Sequence, residues 1–163
     1  MSLLGCSKHD TTIAPLTTKP YQLGTKVEFG LGGDGLPYMT AGWSSPEANH
    51  TWTEGGAAVV TLPIEPANGS LILRMQLSGL TKAPELPFQA VELLANGIKV
   101  GDWQVGTDAE YTSEIPLELV RAGGPLRIEM KIANATTPKK LGIGADERAL
   151  GVALHSLRLD RKP

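Results

Sequence analysis

The sequence predicts an all-β fold, an antiparallel β-sandwich of jelly-roll type. Three observations carry this. Residues 71–80 (LILRMQLSGL) and 125–134 (PLRIEMKIAN) alternate apolar and polar positions with period two, not 3.6. Asn96-Gly97 stands between two apolar-rich runs, as a two-residue hairpin turn demands. The 163 residues include 19 glycines and 12 prolines, a share that suits turn-linked strands, and no stretch offers a run of clean helical turns.

Taken in order, residues 1–24 read as a flexible or edge leader and residues 25–163 as one sandwich domain. Residues 25–30 (TKVEFG) form a short strand, and residues 31–38 (LGGDGLPY) are turn chemistry. Residues 57–64 (AAVVTLPI) are a core strand that Pro63 ends or places at an edge. In residues 71–80, Leu71, Leu73, Met75 and Leu77 face inward. In the hairpin that follows, Gln89, Glu92 and Lys99 face water, and Trp103 lies on the return strand or just past a bulge at Gly101-Asp102. Residues 111–120 read as an extended stretch with one helical turn, and residues 135–148 as a long polar loop. Residues 149–160 close the chain as a final strand. The total is about seven or eight strands, which two sheets packed face to face can bury.

Composition excludes several classes. A formal net charge of −2 offers nothing to a nucleic-acid backbone or an anionic membrane. No run of 18 apolar residues spans a membrane. Cys6 is the one cysteine, so no internal disulfide forms. Leu3-Leu4-Gly5-Cys6 has the look of a lipoprotein processing site without the basic and apolar segments that precede a real one. A Met-Ser-Leu start joined to a trimmed exported sequence accounts for it, with the periplasm or cell surface as the compartment.

His9, His50 and His155 are too scattered for a metal motif, and no nucleophile or phosphate-loop signature is present. Asp34 in the glycine-rich turn is the one starting point for a structural Ca²⁺, which wants six to eight oxygens; otherwise no cofactor is expected. Glu47, Glu54, Asp102, Asp108, Glu110, Asp146 and Glu147 supply carboxylates, but nothing fixes two at a working separation, so no catalytic residue is assigned. The aromatic residues Trp43, Trp52, Trp103 and Tyr38 are the ligand-binding candidates, because an aromatic ring stacks on the C–H face of a sugar while nearby polar groups bond its hydroxyls. The same rings could equally plug the core. Glu47, Arg148 and Asp146 are candidates for a structural or pocket-edge role. A Glu47–Arg148 pair would tie the 44–47 loop to the last strand.

The stretch FGLGGDGLPYMTAGWSSPEANHTWTEGGAAVVTLPI resembles a family of small bacterial β-sandwich domains whose pattern runs Gly-Trp-Ser-x-Pro-Glu, then Trp-Thr-x-Gly, then an apolar strand. Here that is Gly42-Trp43-Ser44, Pro46-Glu47, Trp52-Thr53 and Gly55. VELLANGIKVGDW and LGIGADERALGVALHSLRL are similar too, and the resemblance covers residues 25–160. It implies a galactose-binding-domain-like jelly roll, association with membrane glycosyltransferases and surface-polysaccharide proteins, and a saccharide as the ligand. It carries over no catalytic residue. The expectation is therefore a non-catalytic carbohydrate-binding or glycan-associated domain. The alternatives are a protein-interaction module and a weak glycoside-active enzyme.

Overall fold

The structure is a computed structural model that describes residues 19–163; the expectations for Cys6, His9 and most of the leader lie outside these residues. The described residues form ten strands: β1 (Val27–Glu28), β2 (Met39–Ala41), β3 (Thr51–Glu54), β4 (Ala57–Ile64), β5 (Leu71–Gly79), β6 (Gln89–Ala95), β7 (Ile98–Val105), β8 (Ala109–Ile115), β9 (Gly124–Ile132) and β10 (Leu150–Arg161). All pairings are antiparallel. Sheet 1 has the order β1-β10-β5-β8, with β3 also on β10, and sheet 2 has the order β2-β4-β9-β6-β7. From β4 onward the chain crosses between the sheets at every connection except the β6–β7 hairpin. This is an all-β jelly-roll sandwich.

Period two decides the interior. Leu71, Leu73, Met75 and Leu77 are wholly buried, and Leu126, Ile128, Met130 and Ile132 face them with at most 4% exposure. Each such side chain contributes about 1.5–3 kcal/mol. Asn96 (φ 47°) and Gly97 (φ 82°) take the positive φ values that the tight hairpin turn requires. The register slip opposite Leu93 and Leu94 falls at residues 99–101, a bulge just before Trp103.

Three expectations change. The segment at residues 19–24 is not loose: Tyr21 is buried, its N–H donates to the Pro63 carbonyl on sheet 2, and its hydroxyl accepts from the Leu159 N–H on sheet 1. Burial pushes that hydroxyl's pKa up to about 12. Gln89 does not face water. It is in phase with Val91 and Leu93, so it points inward at 0% exposure and donates to the Leu80 carbonyl. The 135–148 loop contains a short helix, α2 (Pro138–Leu141). Thr137 caps it by accepting from the Lys140 N–H, and Gly142 ends it at φ 71°. One further helical turn, α1 (Leu117–Val120), follows β8 as the sequence suggests.

β3 closes one flank of the sandwich. One edge of it pairs with β10. Its other edge reaches the continuation of β2 through the Glu54 N–H to the Gly42 carbonyl, the Ser44 N–H to the Trp52 carbonyl, and a bridge between Trp43 and Thr53.

Candidate functional site

The four aromatic candidates do not converge. Tyr38 is 2% exposed; its hydroxyl donates to the Pro20 carbonyl and its ring meets Tyr21 edge-on. Trp103 is 8% exposed and points between the sheets, where its N–H donates to the Thr112 carbonyl, tying β7 to β8. Neither ring has a face free for a sugar, which corrects the stacking role expected of them. Trp43 is half-buried against the core, and its N–H donates to the Val59 carbonyl at 2.8 Å. Trp52 is the outward one. It sits on β3 beside His50 (ring centroids 5.6 Å apart), which in turn lies 5.3 Å from His155. His155 Nε2 is 3.0 Å from Ser78 Oγ.

Glu47, Asp146 and Arg148 meet in one half-exposed cluster. Arg148 donates to both oxygens of Asp146 (Nη2 to Oδ2, 2.6 Å), to Glu47 Oε1 at 3.2 Å and to Ser44 Oγ at 2.7 Å. The guanidinium therefore joins the 44–47 loop to the approach to β10. The hydrogen bonds from Arg148 hold the Asp146 carboxyl below its ordinary pKa, and those carboxylates raise the guanidinium's. A depressed carboxyl contributes stability that is present above its unfolded-state value, about 3.9, and is lost as pH falls through the folded value. Arg148→Gln removes that contribution. The drop in melting temperature between pH 5 and pH 2 is therefore expected to be smaller in the variant than in the parent. An equal drop in both would show that the cluster adds nothing to stability.

A concave feature lies elsewhere, on the outer face of sheet 2. It is a trough of about 850 Å³ that crosses four neighbouring strands. Three runs of three consecutive residues line it: 131–133 at and just past the end of β9, 90–92 on β6 and 102–104 on β7, with Gly56 just before β4 and Ala57 at its start. The middle residues Ile132, Val91 and Trp103 turn their side chains into the core, so their main chain forms the floor. The outward positions alternate by type. Ala57, Ala90 and Ala133 leave the sheet bare, while Lys131, Glu92, Asp102 and Gln104 stand as polar rims. Ala57, Lys131, Glu92 and Asp102 form one cross-strand row. Lys99 Nζ lies 2.8 Å from Asp102 and 3.9 Å from Glu92. The hydrogen bond to Asp102 raises the pKa of Lys99.

A calcium ion does not fit the Asp34 turn. Asp34 Oδ1 accepts the Glu28 N–H at 2.8 Å, and the Lys19 ammonium sits on the Asp34 carbonyl at 2.9 Å. Among the described residues no group of three or more His, Cys, Asp or Glu side chains could hold a metal ion. No helix of the described residues is long and apolar enough to cross a membrane.

No protein-family model matches the chain, and no curated protein matches it. Several solved structures are similar. One is the CBM36-1 domain of a multidomain xylanase from the hindgut metagenome of Trinervitermes trinervoides, at 15% identity over 85% of this chain and 98% of that one, with a TM-score of 0.49. A second is a carbohydrate-binding module CBM36 in complex with calcium and xylotriose, at 13% identity over 83% and 99%, with a TM-score of 0.47. A third is the C-terminal CBM6 of a laminarinase from Zobellia galactanivorans, at 10% identity over 84% and 98%, with a TM-score of 0.47. These likenesses are too distant to assign a ligand.

Proposed function

We propose that this chain is a non-catalytic saccharide-binding domain and that its ligand lies in the trough on sheet 2. The supporting observation is the trough's construction. A bare floor of sheet main chain and alanine methyl groups matches the flat C–H face of a sugar ring. Carboxylate, amide and ammonium groups stand beside it as partners for ring hydroxyls. The stacking surface is thus the sheet itself rather than a tryptophan.

Glu92 and Asp102 share this trough, and a pair of carboxylates is what glycoside hydrolysis uses. That chemistry requires one of them to serve as an acid, a state that enzymes secure by burial in apolar surroundings. Asp102 is exposed and ion-paired with Lys99, so binding fits the pair better than hydrolysis does. The resemblance to domains of surface-polysaccharide systems suits this reading, with the catalytic part supplied by a partner such as a membrane glycosyltransferase outside the cytoplasm.

The test is calorimetric titration of the protein with a panel of soluble oligosaccharides. Gln104→Ala removes one neutral hydrogen-bonding group and is expected to weaken binding about three- to tenfold, the equivalent of roughly 0.5–1.5 kcal/mol. Trp52→Ala, on the other sheet, is expected to leave the affinity unchanged. Loss of binding in Trp52→Ala with none in Gln104→Ala would move the site to the Trp52–His50 surface. Failure of the folded protein to bind any saccharide would refute the reading.

A further inference from the structure

The outer face of sheet 2 carries three acids and three bases around the trough: Glu92, Asp102 and Glu129, with Lys99, Arg127 and Lys131. Two of the bases account for all three acids. Arg127 Nη2 lies 3.0 Å from Glu129, and Lys99 reaches Asp102 at 2.8 Å and Glu92 at 3.9 Å. The Lys131 ammonium makes no ion pair or hydrogen bond with any described residue. This is so although Glu92 is its direct cross-strand partner and Glu129 sits two residues before it on the same face. Opposite charges at such positions ordinarily pair. Here each acid is held on its far side, and an exposed lysine is left at the rim, in the cross-strand row between Ala57 and Glu92.

We infer that the trough selects anionic saccharides, with Lys131 taking the ligand's acidic group. The inference rests on the trough being the saccharide site and adds the class of sugar. A sugar ring lying across Ala57 and Ala90 would bring a carboxylate or sulfate substituent within reach of Lys131. A charge-assisted hydrogen bond there is stronger than one to a hydroxyl. Glu92 and Asp102 do not repel such a ligand strongly, because Lys99 offsets them. A carboxylate on a uronic acid and a sulfate ester on a neutral sugar present the same chemistry to an ammonium, so both are probes.

The experiment compares three oligosaccharides of equal length by calorimetry: oligogalacturonate, a sulfated galactan oligosaccharide and a neutral xylo-oligosaccharide. The parent protein is expected to bind one or both acidic probes about tenfold more tightly than the neutral one in 50 mM salt, with the preference shrinking at 500 mM salt. In Lys131→Gln the acidic-to-neutral affinity ratio is expected to fall about tenfold, and Lys131→Arg is expected to restore much of it. Which acidic probe binds identifies the source of the charge. A parent protein that binds the neutral probe at least as well as both acidic ones overturns the inference and leaves the saccharide reading standing. So does a ratio that Lys131→Gln does not move. A folded protein that binds none of the three overturns both.

Discussion

Gly42→Ala is expected to destabilise the fold by about 2–4 kcal/mol. Gly42 sits at φ +80°, where an L residue costs about 1–2 kcal/mol. A Cβ there would lie 2.0 Å from the Ala57 carbonyl oxygen and 2.8 Å from the Ala58 Cα, both main-chain atoms of β4 that can give way only by displacing a strand. Such overpacking adds about 1–3 kcal/mol. The displaced strand is the one whose Val59 carbonyl accepts the Trp43 N–H, and Gly42 itself accepts from Glu54 on β3. The flank where β3 closes the sandwich therefore loosens with it. For a domain of this size the melting temperature should fall by about 5–15 °C. Gly55→Ala is the control. Gly55 has φ +90° with nothing within 4 Å of a built Cβ, so only the conformational term applies and the loss should be about half or less. Equal losses at the two positions would show that the contact with β4 relaxes freely.

The same segment shows what was legible in the sequence. Alternation placed β5 and β9 correctly, because a strand with one dry face writes period two into its residues. Asn96-Gly97 marked its hairpin for an equally local reason, the need for positive φ at both positions. Gln89 carries opposed signals, since its polarity suggests water while its phase puts it inside. Val91 and Leu93 fix the inward set, and a residue two positions earlier must follow them, polar or not. The signals of α2, Thr137-Pro138 and Gly142, lie in a polar stretch with no apolar period to point to a helix. The sheet order was not legible at all. β4, β9, β6 and β7 come together through crossovers that no local pattern specifies.

The site follows the same division. The contact between Glu47 and Arg148 was readable, because a carboxylate in a loop and an arginine before a strand are a recognisable complementary pair. The trough was not. It is built from the smallness of Ala57 on β4, Ala90 on β6 and Ala133 just past β9, far apart in the chain, and small side chains carry no sequence signature of a concavity. The tryptophans drew attention by size and rarity. Yet the N–H groups of Trp43 and Trp103 already have carbonyl partners inside the fold, which marks them as braces between strands.

If the bare floor is what receives a saccharide, filling it should remove binding without touching stability. The double variant Ala57→Gln and Ala90→Gln lays two neutral, flexible side chains over the main chain of β4 and β6, on the outer face and away from the core. Charge is unchanged, so any loss comes from the occupied volume and the masked floor. A ligand excluded from its stacking surface keeps only its contacts with the rims, and an affinity loss of about a hundredfold or more is expected, roughly 2.7 kcal/mol. Because both positions face solvent, each substitution should shift stability by no more than about 0.5 kcal/mol. Thr112→Gln places the same side chain on the outward face of β8 on the opposite sheet and should leave binding intact. A double variant that melts with the parent and still binds saccharide at the parental affinity would place the ligand somewhere other than the trough. The outward Trp52 beside His50 would then be the surface to vary next, since it is the ring of the four that points away from the core.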